Sequence, residues 1–119
     1  MFDHEKSTCA QLPRAEAIAR LNDKLRVHGM CGQILVTRSV MDLPAFNPVE
    51  LTHVLARYEG FDAVNDPHGE RDFGDLQLFG ADLLWKIDYY DIDLVYGSPD
   101  PADAMVTTRV LTVMLAGDW

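Results

Sequence analysis

The stretch ADLLWKIDYYD, from Ala81 to Asp91, constrains this chain more than any other. Read at period two, Leu83, Trp85, Ile87 and Tyr89 fall on one face of a strand, and Leu84, Lys86, Asp88 and Tyr90 on the other. Such a strand cannot stand alone, because its backbone needs hydrogen-bonding neighbours and its apolar face needs a cover. The preceding DLQLF, joined through Gly80 and Ala81, supplies the first neighbour as a hairpin. One face of that hairpin is expected in the core, and the other carries groups available for chemistry.

The cover is expected from helices. One begins near Thr8, where Thr8 and Gln11 have capping-box spacing, or at Pro13, and runs through Ile18, Leu21 and Leu25 to Gly29. QILVTR (33–38) reads as a short buried strand. Asn47, Pro48 and Glu50 form a second helix start, with Leu51, Val54, Leu55 and Tyr58 facing inward and Gly60 as the stop. SPDPAD (98–103) reads as a third start, with Asp100 as cap. The wide apolar surface of Val106, Val110, Leu111, Val113, Met114 and Leu115 then suggests a central helix. The expected architecture is α+β: about three helices packed on a small, mostly antiparallel sheet. At 119 residues the chain is one domain, with residues 1–12 read as a variable or loosely ordered end.

Charge separates the chain into two parts. Residues 59–103 hold twelve acidic side chains against two basic ones, a net −10, whereas the remainder carries seven against eight, a net +1. A nucleic-acid backbone would be repelled by the first part, so direct nucleic-acid binding is not expected and a basic protein partner is. No apolar run approaches the roughly 18 residues of a membrane span, and MFDHEKSTCAQ lacks the marks of a signal peptide. A cytoplasmic protein with no membrane partner is therefore expected. Cys9 and Cys31 form neither a CxxC pair nor a disulfide framework.

The run VNDPHGERDFG (64–74) holds the densest set of candidate ligands and acids. Asp66, His68 and Glu70, joined by Asp72, are oxygen and imidazole donors suited to a divalent cation such as magnesium, manganese or zinc. The run matches neither the EF-hand frame nor HExxH. No cofactor is expected beyond that divalent metal. The competing reading is a solvated turn, in which Asn65 and Asp66 bond their own backbone, Pro67 fixes φ and Gly69 supplies a positive φ.

Acid–base candidates are His68, Asp88 and Lys86, since a carboxylate between Trp85 and Tyr90 could be raised in pKa. The alternative is a structural pairing of Lys86 with an acid across the sheet. Ser98 lies in YGSPDP, which is not a nucleophile elbow and reads as a turn residue. Arg109 either pairs structurally or holds an anionic group, and structural pairing is favoured.

NDPHGERDFG, WKIDYYD, YGSPDPAD and TRVLTVMLA together resemble the bacterial domain of unknown function family 3768, with a weaker likeness upstream through RLNDKLR. The family's motif residues fall here on Asn65, Asp66, His68, Glu70, Asp72, Lys86, Asp88, Tyr89, Tyr90, Asp91, Ser98, Asp100 and Arg109. The resemblance implies no enzyme class. It implies proteins of mobile elements and plasmids in alphaproteobacteria, a setting in which a small acidic protein would act against host defence.

Two functions are thus expected from different classes. The favoured one is a binding or inhibitory protein, of anti-CRISPR or anti-restriction type. It would present Asp66, Glu70, Asp72, Asp91, Asp93 and Asp100 as a nucleic-acid-like acidic surface. The other is a small metal-assisted hydrolase or transferase using Asp66, His68 and Glu70 with Asp88.

Overall fold

A computed structural model describes residues 12–118. Helix α1 spans Arg14–His28 and follows Pro13, whose extended ψ of 146° turns the chain into the first turn. Glu16 near its start, and Arg26 and His28 at its end, complement the helix dipole. Gly29 closes it at φ 69°, donating its N–H to the Leu25 carbonyl. The buried stripe is Ile18, Ala19, Asn22, Leu25 and Arg26, so two polar residues sit on the face that meets the sheet.

Strand β1 (Gly32–Val36) comes next, then a single helical turn α2 (Arg38–Met41) that buries Val40, then α3 (Pro48–Ala56). Asn47 caps α3, its Oδ1 accepting from the N–H groups of Val49 and Glu50 at 2.9 and 3.2 Å. The helix stops at Ala56, before the expected Gly60, because Arg26 Nη1 bonds the Leu55 carbonyl at 2.8 Å and the Tyr58 carbonyl at 3.3 Å. That buried guanidinium satisfies the carbonyls a helix end leaves open.

Strands β2 (Phe73–Leu78) and β3 (Ala81–Tyr90) form the expected hairpin. Its two-residue turn is Phe79–Gly80, both at positive φ, the geometry that matches strand twist. Strand β4 (Thr108–Leu115) completes a sheet of order β1-β4-β3-β2, parallel between β1 and β4 and antiparallel elsewhere. The α+β architecture with three helices and a mostly antiparallel sheet is as expected, but, besides the early end of α3 and the unexpected turn α2, two strands differ from expectation.

The region expected as a central helix is β4. Flanked by β1 and β3, it is buried on both faces, at Val110 and Met114 on one and Arg109, Leu111 and Val113 on the other. A two-sided strand shows no alternation, and its apolar run imitates a buried helix. The β-branched density of Val106, Thr107, Thr108, Val110, Thr112 and Val113 was the opposing signal. Asp100 accordingly caps a turn, accepting from Ala102 N–H at 3.1 Å, and Asp103 caps a short 3₁₀ turn at Ala104–Val106. The second correction is β1, expected as buried: it is an edge strand, with Ile34 39% and Leu35 50% exposed. A capping box at Thr8 lies outside the described residues.

The helices cover the sheet face that carries Trp85. Leu25, Val40, Leu51 and Leu55 meet Leu83, Trp85, Ile87, Leu111 and Val113 there. Tyr58 and Phe61 stand edge-on to Trp85 at 5.5 and 5.9 Å, and Arg26 lies over both Phe61 and Trp85. Gly74 makes room for this cluster, since a Cβ there would lie 2.5 Å from Trp85 Nε1 and 2.6 Å from Tyr58 Cζ.

Candidate functional site

The polar residues of α1 are where the site begins. Asn22, four residues after Ile18, projects into the core beside the end of β3 and is fully buried. Its Nδ2 donates to the Glu70 carbonyl at 3.0 Å and to the Tyr89 hydroxyl at 2.9 Å, and its Oδ1 accepts from Arg109 Nε at 2.8 Å. The Tyr89 hydroxyl in turn donates to Glu70 Oε1 at 2.8 Å. Burial pushes the Tyr89 phenol far above its ordinary range, so it stays a donor at every physiological pH. Tyr89 and Arg109 face each other across β3 and β4, and the guanidinium carbon sits 5.2 Å from the ring centroid. Arg109 is fully buried and also donates through Nη2 to the Pro101 carbonyl. Burial lowers its pKa, and its nearest partners are neutral.

This network grips two loops. The first is 61–72, whose Glu70 is held through both its backbone and its side chain. Asn65 Oδ1 accepts from Asp62 N–H and its Nδ2 donates to Gly60 O, while Asp66 Oδ1 accepts from Arg71 N–H. Gly69 and Arg71 both take positive φ. Arg71 then reaches back to α1, doubly bonded to Asp23 with a shortest contact of 2.8 Å and paired to Glu16 at 3.3 Å. Those bonds raise the Arg71 pKa, and the same arginine holds Glu16 below its ordinary value. Asp72 is half-buried, and desolvation, reinforced by the Glu70 charge, raises its pKa.

The second loop, 91–107, leaves the sheet beside Tyr89. Ser98 N–H returns to the Tyr89 carbonyl, and Tyr90 bridges to Gly97, so the segment between them is a tied tip. Within it Asp91 N–H bonds Tyr96 O at 2.8 Å, Leu94 N–H bonds Asp91 O at 3.1 Å and Val95 N–H bonds Asp91 Oδ1 at 3.0 Å. Leu94 is held at φ 61°, a conformation that costs an L residue roughly 1 kcal/mol or more. At the base, Thr107 donates to the Asp100 carbonyl at 2.8 Å and accepts from Ser98 at 2.7 Å. Arg14 pairs with Asp100 at 2.6 Å and lowers its pKa. What the tip presents is apolar: Ile92, Leu94, Val95 and Tyr96 are all exposed, Tyr96 at 73%, with Met105 nearby in sequence at 82%.

A family model described as protein of unknown function, DUF3768, matches residues 36–118. The chain belongs to the DUF3768 family. Neither the comparison with curated proteins nor that with solved structures gives a match. The matched part of this DUF3768 protein takes in both gripped loops together with Tyr89 and Arg109, while Asn22 and the rest of α1 precede it.

The candidate residues of the DUF3768 chain are distributed as follows. Asp66 is turned onto its own loop backbone, Glu70 onto Tyr89, and His68 is exposed. Among the described residues no three His, Cys, Asp or Glu side chains are grouped closely enough to hold a metal ion. Lys86 and Asp88 pair with each other at 2.8 Å on the sheet face away from the helices. Strand alternation sets them opposite Tyr89, so Glu70, bonded to Tyr89, shares no face with Asp88. Asp91 and Asp100 tie their loop together, and of the acidic candidates Asp93 alone is both exposed and outside the side-chain bonds described.

Asn22, Asp23 and Arg26 were not among the candidates, yet they organise the site. The available signal was Asn22 itself, a polar residue on the Ile18–Leu25 stripe of an amphipathic helix. Arg109 pairs structurally, but with an amide and a carbonyl rather than a carboxylate.

Proposed function

We propose that this DUF3768 protein is a binding protein that docks the 91–96 tip, with its acidic surroundings, onto a basic protein partner. The observation that carries the reading is the tip itself: four large apolar side chains held outward by internal hydrogen bonds, with Asp93 between Ile92 and Leu94. Apolar anchors within a charged rim are the usual composition of a binding hot spot. Fixing them before contact reduces the ordering cost of association. The −10 carried by residues 59–103 would steer a basic surface toward the tip, because carboxylates turned onto loop backbone still contribute to the long-range field.

The partner class we propose is a nucleic-acid-handling protein, such as a CRISPR effector or restriction enzyme, with the chain acting as an anti-defence factor of a mobile element. A nucleic-acid-binding cleft is basic, and an acidic loop with an apolar tip would compete for it. The test is affinity capture from host lysate at low and at high salt, with mass spectrometry of the bound proteins. A basic, nucleic-acid-handling protein retained at low salt and lost as salt rises is the expected result. Retention only of acidic proteins, or binding indifferent to salt, would overturn the reading.

A further inference from the structure

Loops 61–72 and 91–107 are stitched one after the other onto a single edge of β3. Ile87 N–H donates to the Asp72 carbonyl at 2.8 Å, and two residues on, the Tyr89 carbonyl accepts from Ser98 N–H at 3.0 Å. Residues two apart in a strand direct their backbone groups to the same edge, here the one that β2 occupies further down, because β4 takes the other. At about 3.4 Å of rise per residue, the roots of the two loops lie roughly 7 Å apart. Their apices are built alike. Asp62 Oδ1 accepts from the N–H groups of Val64 and Asn65 at 2.8 and 2.9 Å, as Asp91 Oδ1 accepts from Val95 N–H at 3.0 Å. In each loop an aspartate carboxylate thus fixes a turn that leaves a valine exposed, Val64 at 89% and Val95 within the tip. Between them the loops carry eight acidic side chains, and their one arginine, Arg71, is bonded to Asp23 and Glu16.

The geometry points to one docking surface with two apolar contacts, Val64 on the first loop and the 91–96 tip on the second. It takes a basic segment of a partner protein that carries apolar side chains among its lysines and arginines. This second contact rests on the tip being the first. Charge complementarity selects the occupant. The acidic loops repel nucleic acid, anionic lipid and a second copy of this chain, whose net charge is −9, and they attract a basic segment. A purely hydrophilic basic segment would leave Val64 and the tip without apolar cover, so apolar side chains between the charges complete the fit. Asn22 and Tyr89 hold Glu70 while Arg109 holds the Pro101 carbonyl, so both loops are set before the partner arrives.

The test is a nuclear magnetic resonance titration of the full chain with two synthetic octapeptides, one alternating arginine with leucine and the other arginine with serine. The amides of residues 62–68 and 91–96 are expected to shift together with a single Kd, and the arginine–leucine peptide to bind at least about fivefold tighter. Val64→Ser should weaken that peptide about threefold or more, whereas Val49→Ser, at an exposed valine on α3, should leave it unaltered. Shifts confined to 91–96, a Val64→Ser variant that binds as the native chain does, or an equal loss in Val49→Ser would overturn the second contact and leave the tip reading standing. Absence of shifts at 91–96, or equal affinity for the two peptides, would overturn the tip reading as well.

Discussion

Asn22→Ala is the most informative perturbation of the network. The amide makes three hydrogen bonds, to the Glu70 carbonyl, the Tyr89 hydroxyl and Arg109 Nε, at 3.0, 2.9 and 2.8 Å. Losing the acceptor for a fully buried guanidinium costs about 2 kcal/mol, and the two donor bonds add roughly 0.5 to 1 kcal/mol each. The total, about 3 to 4 kcal/mol, is a large part of the roughly 5 to 15 kcal/mol that holds a domain together. At about 4 °C per kcal/mol for a chain of this size, the expected fall in Tm is roughly 12 to 16 °C. Urea unfolding followed by circular dichroism measures the loss at constant m-value. In a double-mutant cycle, Asn22→Ala and Tyr89→Phe should couple by about 0.5 kcal/mol or more, because they share a bond. A loss below about 1 kcal/mol for Asn22→Ala, the scale of a surface contact, would refute the reasoning.

Other outcomes follow from the same geometry. Gly74→Ala should destabilise by about 3 kcal/mol, since the new methyl meets the Trp85 and Tyr58 rings, which pack too tightly to yield; thermal unfolding within a degree or two of the native protein would contradict this. Asp72→Asn should stabilise the protein at neutral pH. The folded-state pKa of Asp72 lies above the unfolded value, so its ionised form opposes folding above that pKa, and the gain should vanish below pH 3.8, where both states are protonated. Tm measured against pH reads this, and an advantage that persists in acid is the failing result. Arg71→Ala should speed hydrogen exchange across residues 61–72 while leaving the β3 amides slow, because Arg71 ties that loop to Asp23 and Glu16 on α1.

Much of the fold was legible where local patterns are strong. The alternation in β3, the Asn47–Pro48 helix start and the Gly29 stop each depend on nearby residues, and each falls where the chain places it. Strand β4 was not legible, because burial on both faces removes the alternation that marks a strand. The edge position of β1 depends on sheet order, which no local pattern encodes. The site shows the same division. NDPHGE reads as a self-bonded turn, and Asn65, Asp66 and Gly69 act in it as turn residues do. The destination of Glu70 was hidden, because its partners Asn22 and Tyr89 lie 48 and 19 positions away in sequence. So was the bonding of Asp91 and Asp100 to their own loop, whose N–H partners come within reach only when the loop closes.

The central claim is that the outward apolar side chains of the tip, held by this network, make the partner contact. Its most direct test is the Kd for the captured partner, measured for the native protein and for Val95→Ser with Tyr96→Ser, two exposed positions whose exchange should leave Tm unchanged. The account predicts a loss of at least about 1.4 kcal/mol, tenfold or more in Kd, for the paired change. Equal affinity with an intact fold would contradict it.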